Sequence, residues 1–220
     1  MAAAAQSGRS ERRRKALLEA AAEAFFREGY VATSIDAIIE RAGGSKRNIY
    51  NEFGNKQGLF SAIVRQNADK VLSTLVIEET EGRDLRQTLT AFGRHLMGAY
   101  MSPALIGIYR IAVTEANRFP GLVKSFYEEG PGRATSRLAE VLEAASESGE
   151  IRTDDCLRLA EHFVGMIRDN RHLQVVLGLR PAPSDEEARE AVDSVVEVFL
   201  NGVRARRDKH EAPRRRRDRA

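Results

Sequence analysis

Two short helical segments separated by only two glycines constrain this chain more than any other feature. The first segment, within residues 33–60, places four apolar residues on one face at helical spacing, namely Ile35, Ile38, Ile39 and Ala42. Thr33 is expected to cap this helix, with Asp36 completing a capping box. Gly43-Gly44 ends it, and Ser45 can cap a second helix over 46–52. A turn this tight forces a steep crossing, which is the layout of a helix-turn-helix DNA-binding unit.

The second segment separates its apolar residues from its polar ones. Ile49 and Phe53 form its apolar stripe, and the side chains expected to point elsewhere are Lys46, Arg47, Asn48, Tyr50 and Asn51. Arginine pairs with guanine, asparagine pairs with adenine, and lysine and tyrosine reach phosphate oxygens. The pattern therefore favours binding in a nucleic-acid groove. Taken without its flanks, it is equally compatible with two ordinary surface helices whose cations are merely solvated.

The helical run before this unit favours DNA as the partner. Residues 10–28 are strongly helical in pattern and end at Gly29, and their start carries a basic cluster consisting of Arg9, Arg12, Arg13, Arg14 and Lys15. Positive charge at a helix start opposes the helix dipole and costs a few tenths of a kcal/mol per residue, so phosphates are the natural partner. The sequence predicts a disordered basic arm over 1–9 and a disordered Arg-rich tail over 206–220.

These residues resemble the TetR family of bacterial transcriptional regulators. The matching positions are Phe25-Phe26, Gly29-Tyr30, Thr33-Ser34, Ile38, Ala42-Gly43, Ser45-Lys46, Ile49-Tyr50, Phe53, Lys56 and Leu59-Phe60. The resemblance implies an all-α protein with a three-helix DNA-binding domain over 10–54 and a helical ligand-binding and dimerisation domain over 55–205. It also implies a homodimer on double-stranded, palindromic operator DNA.

The resemblance assigns DNA contacts by position. The implied DNA-binding residues are Thr33, Ser45, Lys46, Arg47, Asn48, Tyr50, Asn51 and Lys56, with Thr33 and Lys56 as phosphate contacts at helix starts. Two positions depart from the family pattern, because Gly44 and Arg47 stand where the family usually has a valine and a small glycine. The turn can be looser as a result, and Arg47 can contact either a base or the DNA backbone.

From residue 55 onward the pattern predicts helices punctuated by glycine and proline. Asn55 is expected to cap the first, and Ser184 with Glu187 forms a capping box for the last. Breaks in the helical pattern are predicted over 78–82 and 130–132. The helices predicted between the first break and the last loop cover 83–100, 104–117, 121–128, 133–148 and 155–177. No convincing strand pattern occurs.

The second half resembles the C-terminal domain of the AefR-like branch of the family. The residues that carry this resemblance are Ile108-Tyr109-Arg110, Glu115-Ala116, Arg118-Phe119-Pro120, Phe126-Tyr127 and Gly130-Pro131. The resemblance implies that the last two long helices form a dimer interface, for which we expect Val192, Val195, Val196, Phe199, Leu200 and Val203. The alternative is that this apolar band belongs to the core of the monomer.

A small-molecule effector of unknown identity is expected between the central helices. The candidate lining residues are Phe92, His95, Leu96, Tyr100, Tyr109, Val113, Phe126, Phe163 and Ile167. Aromatic residues at helical spacing are also typical of a simple core, so the sequence leaves both roles open. His95 and His162 are the polar groups expected to face inward.

Other classes of function are not indicated. Cys156, His162 and His172 lie at offsets that do not share one helix face, so no metal site is expected, and no cofactor-binding or catalytic motif occurs. We expect no enzyme activity, no membrane association and cytoplasmic localisation. The predicted function is a ligand-released repressor. A transcriptional activator remains an alternative, as does a sequence-blind DNA-coating protein, which the basic run 214–217 would suit.

Overall fold

The all-α prediction is confirmed by a computed structural model, which describes residues 2–73, 84–153 and 155–203. Within these ranges the chain is helical and has no β-strand. The helices are α1 Ala2–Glu28, α2 Ile35–Ala42, α3 Lys46–Phe53, α4 Lys56–Leu72, α5 Leu85–Tyr100, α6 Pro103–Thr114, α7 Pro120–Tyr127, α8 Arg133–Glu147, α9 Cys156–Val176 and α10 Asp185–Val203. The predicted break over 78–82 and the tail over 206–220 lie outside the described residues.

The first helix is longer than its sequence pattern predicts. It begins at Ala2, so residues 2–9 of the expected arm are part of α1, and residues 2–5 are alanines, which have the highest helix propensity. Ser45 and Asn55 cap α3 and α4 as predicted. The cap of α2 was predicted wrongly, because Ser34 rather than Thr33 accepts the hydrogen bond from the Ala37 amide at 3.1 Å.

The DNA-binding domain shares its core with α6 and α7. Ile108, Ile111 and Leu122 from these two helices join the buried side chains of α1 to α4. The contact between α6 and α1 is close at Gly107, where a Cβ atom would come within 2.5 Å of the Phe26 ring. The absence of a side chain at Gly107 therefore allows α6 to pack directly against the DNA-binding domain.

The apolar band of α10 is largely buried inside the monomer, which corrects the predicted dimer interface. Val192, Val196 and Leu200 are 0% exposed and Phe199 is 5% exposed, because α10 packs on α5. A Cβ at Gly93 on α5 would lie 2.9 Å from Val192 Cγ1, so the two helices are in tight contact. The two other predicted interface residues, Val195 and Val203, are half-buried and also pack against this core.

Two irregular turns bring the remaining helices together. A π-helical turn, Glu128–Gly132, connects α7 to α8 directly where the sequence predicted a break. Within α9, Asp169 has φ 31°, and its carboxylate accepts a 2.6 Å hydrogen bond from the Arg171 amide, so the second half of the helix has its own cap. A non-glycine residue with positive φ costs about 1–3 kcal/mol.

No single helix among the described residues is long and apolar enough to span a membrane. Helices α5 and α6 meet the length and composition requirement only as a pair, bent by 67°, and both contribute buried residues to the cores described above.

Candidate DNA-reading surface and effector pocket

Helix α3 presents a continuous polar face to solvent. Only Ile49, which is 2% exposed, is fully buried and fixes the helix to the domain. The exposed side chains on the outer face are those that the sequence singled out, namely Lys46, Arg47, Asn48, Tyr50 and Asn51. We call these five residues the reading surface.

Neighbouring groups hold α3 in place from both ends. At its start, Ser45 Oγ accepts a 3.2 Å hydrogen bond from the Asn48 amide, and Lys46 Nζ lies 2.8 Å from the Asp36 carboxylate, which raises the pKa of Lys46. At its end, Arg14 of α1 pairs with Glu52 at 2.8 Å. The orientation of the reading surface is therefore set by α1 and α2 as well as by the core.

A cleft of about 390 Å³ lies between α1 and the turn before α3. The guanidinium of Arg13 lies beside this turn, 3.7 Å from the position that a Cβ atom at Gly44 would occupy. Both turn glycines have positive φ, 73° at Gly43 and 124° at Gly44, which favours glycine at these positions. The sequence showed the basic cluster, but the position of Arg13 beside the turn depends on the crossing of α1 and α3.

Thr33 and Lys56 occupy positions different from those expected of phosphate contacts. Thr33 is 1% exposed, and its hydroxyl donates to the carbonyl oxygens of Ala24 and Gly29 at 3.1 and 2.9 Å. Lys56 Nζ donates to the carbonyl oxygens of Tyr30 at 2.7 Å and Thr33 at 3.0 Å. It also lies 4.5 Å from the centre of the Tyr30 ring, and burial lowers the pKa of Lys56. Both side chains thus fasten the connection between α1 and α2.

A cavity of about 50 Å³ lies between α4 to α9 and the π-helical turn, and we call it the effector pocket. Four of the predicted lining residues border it, namely Leu96, Tyr100, Tyr109 and Phe126. Its other lining residues are Val64, Asn67, Ala68, Val71, Leu105, Ile108, Gly130, Pro131, Ala134, Arg168 and His172. Pockets for drug-sized ligands measure about 300–1,000 Å³, so a larger ligand must separate the lining helices.

The other predicted lining residues lie elsewhere. Phe92, Phe163 and Ile167 are each 0% exposed within the core between α5, α9 and α10. Val113 is 59% exposed on the outer side of α6. Helical periodicity does not show which neighbouring helix a face packs against, so the sequence could not exclude Val113 from the lining residues. His95 borders a separate surface groove.

The inward-facing histidine is His172, not His95 or His162. Both predicted residues are exposed, whereas His172 is 3% exposed. Its ring lies 5.4 Å from the ring of Tyr100 and 5.0 Å from that of Tyr109. No sequence signal marks His172 as an inner residue, because the break at Asp169 interrupts the helical periodicity that would place it on the inner face of α9.

Burial shapes the ionisation of the pocket. It raises the pKa of Tyr100 to about 12, so this phenol is neutral near neutral pH. It also lowers the pKa of His172 below its usual range, and the nearby Arg168 guanidinium adds to this effect. The pocket therefore combines neutral hydrogen-bonding groups with one cation, Arg168, which is exposed at its border.

Helix α6 contacts both the pocket and the DNA-binding domain. Leu105 and Tyr109 border the pocket, whereas Gly107 lies against Phe26 of α1. On another side of α6, Arg110 Nε donates a 2.8 Å hydrogen bond to the Val176 carbonyl at the end of α9. Helix α4 likewise lines the pocket and follows α3 directly. Helices α4 and α6 thus connect the wall of the pocket to the core of the DNA-binding domain.

These features define a class of protein, the helix-turn-helix transcriptional regulators with a helical C-terminal domain. Residues 17–63 match the bacterial regulatory proteins of the tetR family, and residues 87–202 match the AefR-like transcriptional repressor C-terminal domain. The chain belongs to the TetR family, with an AefR-like C-terminal domain, as the sequence resemblance indicated.

Full-length relatives support this assignment. The chain is 28% identical to the HTH-type transcriptional regulator YvkB of Bacillus subtilis (strain 168) over 191 residues, which are 87% of this chain and 97% of YvkB. A solved TetR-family transcriptional regulator from Mesorhizobium loti superposes with a TM-score of 0.76 at 28% identity, covering 90% of this chain and 99% of that one. The flavonoid-responsive regulator FrrA superposes with a TM-score of 0.71 at 29% identity, covering 89% and 99%.

None of the described ranges contains a group of three or more histidine, cysteine, aspartate or glutamate side chains that could hold a metal ion.

Proposed function

We propose that this regulator is a ligand-released repressor that acts as a homodimer on a palindromic operator. One observation carries the proposal: helices α4 and α6 line the effector pocket and also contact the DNA-binding domain. A ligand that widens the pocket moves these helices and hence the reading surface. In this proposal the affinity for DNA depends on the occupancy of a buried site.

The five residues of the reading surface enter the major groove in this proposal. Asn48, in the first turn of α3, contacts an adenine edge, and Arg47 beside it contacts a guanine edge or a phosphate. Lys46, Tyr50 and Asn51 position the helix on the DNA, and Arg13 adds a phosphate contact beside the turn. Lys56 supports this surface from inside rather than touching DNA, since its ammonium group is bound by backbone carbonyl oxygens.

Dimerisation is proposed through the outer faces of α9 and α10. Exposed apolar side chains occur at Leu157 and Leu173 of α9, at Leu177 directly after it and at Val198 of α10, with exposures between 49% and 61%. A second copy related by a two-fold axis would bury the same four residues twice in a closed interface. This surface replaces the buried band of α10 as the proposed interface.

The mechanism is a population shift between two separations of the reading surfaces. Two reading helices must sit roughly 34–36 Å apart, or a multiple of that distance, to enter successive major grooves on one side of the duplex. An effector that binds the form with a different separation more tightly releases the operator. The size of the release is limited by the difference between its affinities for the two forms.

Selection of binding sites from random duplex DNA, followed by footprinting, tests the proposal. We expect one inverted repeat, protected as two half-sites whose spacing cannot be changed by half a helical turn without loss of binding. Uniform protection of any DNA would instead support a sequence-blind coating protein. The position of the selected site relative to the promoter, with transcription measured in vitro, separates repression from activation.

A further inference from the structure

Several polar side chains that border the effector pocket have no hydrogen-bond or ion-pair partner within the described part of the chain. They are the phenols of Tyr100 and Tyr109, the imidazole of His172 and the guanidinium of Arg168. Tyr100 is 8% exposed and His172 only 3% exposed. The polar atoms of these four side chains are therefore available to hydrogen-bond a molecule bound in the pocket.

The charged and polar groups around the pocket indicate the charge of the molecule that it binds. Among the described residues Arg168 is the only charged side chain on its border, and no carboxylate of these residues lines it. The carboxylate of Asp169, which follows Arg168 in α9, accepts a 2.6 Å hydrogen bond from the Arg171 amide and lies 3.5 Å from the Arg171 side chain. The tyrosine hydroxyls and the neutral imidazole can each donate a hydrogen bond. These groups together suit an anionic oxygen.

The remaining wall suits a flat, apolar body. Tyr109 meets Phe126 at 6.2 Å and 76°, and it meets His172 at 5.0 Å and 87°, so consecutive rings stand nearly perpendicular to one another. Perpendicular rings present both edges and faces, which is the preferred packing for another aromatic ring. Aliphatic residues such as Val64 and Leu96 border the same cavity.

We propose that the effector is an aromatic acid, a flat ring system whose carboxylate or phenolate oxygen pairs with Arg168. Tyr100, Tyr109 and His172 donate hydrogen bonds to its polar atoms, and the ring system packs against Phe126 and the aliphatic wall. The proposal rests on the proposed function of this cavity as the effector site. Since the cavity measures about 50 Å³, binding separates the lining helices, which is the movement that release of DNA requires.

Calorimetric titration of the full-length protein with 2-naphthoate and with its neutral isostere 2-naphthamide tests the role of charge. We expect the acid to bind about 10- to 100-fold more tightly, the range of one charge-assisted hydrogen-bonded pair. Arg168→Gln should remove this difference, and because Arg168 is exposed, the substitution leaves the core filled. The matched control is Arg158→Gln, an exposed position on the same helix that does not border the pocket and should keep the difference.

Decanoate provides the test of ring shape, and we expect it to bind at least about tenfold more weakly than 2-naphthoate. Equal affinity for acid and amide, discrimination that persists in Arg168→Gln, decanoate binding as tight as that of naphthoate, or no binding of either naphthalene compound would each overturn the proposal. The same preparation is assayed on the selected operator. Sequence-specific DNA binding without naphthoate binding refutes the effector class alone, whereas absence of sequence-specific DNA binding refutes the proposed function.

Discussion

Replacing Lys56 with methionine distinguishes a structural role from a DNA contact. Methionine keeps the apolar stem but removes the ammonium group that donates to the Tyr30 and Thr33 carbonyls at 2.7 and 3.0 Å. A hydrogen bond to a charged group contributes about 1.5–3 kcal/mol when buried. Lys56 is only partly buried, so water replaces part of this interaction in the variant. We therefore expect a total loss of about 2 kcal/mol in unfolding free energy.

The assay combines thermal unfolding with DNA binding at several salt concentrations. A loss of about 2 kcal/mol corresponds to a fall in melting temperature of roughly 4–8 °C for a protein of this size. The slope of log affinity against log salt should stay unchanged, because no phosphate contact is lost. Operator binding should weaken only as far as the connection between α1 and α2 loosens.

Lys46→Met is the matched control with the opposite expectation. Lys46 pairs with Asp36 on the surface, with side-chain exposures of 53% and 68%, so its removal should cost less than about 1 kcal/mol of stability. As a phosphate contact of the reading surface in both subunits of the dimer, it should lower the magnitude of the salt slope by about 1.8, or about 0.9 per subunit. If Lys56→Met instead lowers the salt slope by about 0.9 per subunit and leaves the unfolding free energy unchanged, the structural role assigned to Lys56 is wrong.

Three further predictions concern the reading surface, the proposed interface and the pocket. Asn48→Ala should cost about 1–3 kcal/mol on the selected operator and relax preference at one base pair of each half-site; an unchanged consensus after reselection would exclude Asn48 as a base contact. Val196→Asp should abolish the cooperative unfolding transition because it buries an unpaired charge, whereas Val198→Asp should retain helix content by circular dichroism but sediment as a monomer. Burial lowers the pKa of His172 in the folded protein, so on acidification the imidazole is protonated first in the unfolded chain, and stability falls as the pH drops below about 6.5. His172→Gln should reduce this loss of stability, whereas His162→Gln, at an exposed position, should not. Equal acid sensitivity of the two variants would contradict the burial argument.

The DNA-binding domain could be predicted from the sequence because its signals are local. The glycine turn, the caps at Ser45 and Asn55 and the polar face of α3 all depend on residues within one or two helical turns of each other. The wrong prediction of Thr33 as the cap of α2 is an error of one residue. Thr33 and Ser34 are adjacent hydroxyl residues, either of which could cap α2, and Ser34 does so. Local physics thus decides the elements and leaves an uncertainty of one residue at their ends.

The pocket could be predicted only in part, and the dimer interface remains a proposal, because both depend on which helices meet. The apolar spacing of Val192, Val196 and Leu200 requires a partner face but does not say whether α5 or a second copy provides it. The histidines show the same limit. His172 becomes an inner residue only because α9 breaks at Asp169, and nothing in the sequence around Asp169 indicates that a non-glycine residue will adopt a positive φ there.

The close approach of Gly107 to Phe26 restricts how α6 can move. Successive residues of a helix are separated by about 100° around its axis, so turning α6 by one position would bring Ile106 or Ile108 to the place that has room only for a hydrogen atom. Helix α6 can therefore slide or tilt together with α1, but it cannot rotate about its own axis while α1 stays still. A ligand that turns α6 must turn the whole DNA-binding domain with it. The direction of that rotation decides whether the distance between the two reading surfaces of a dimer matches the helical repeat of the duplex.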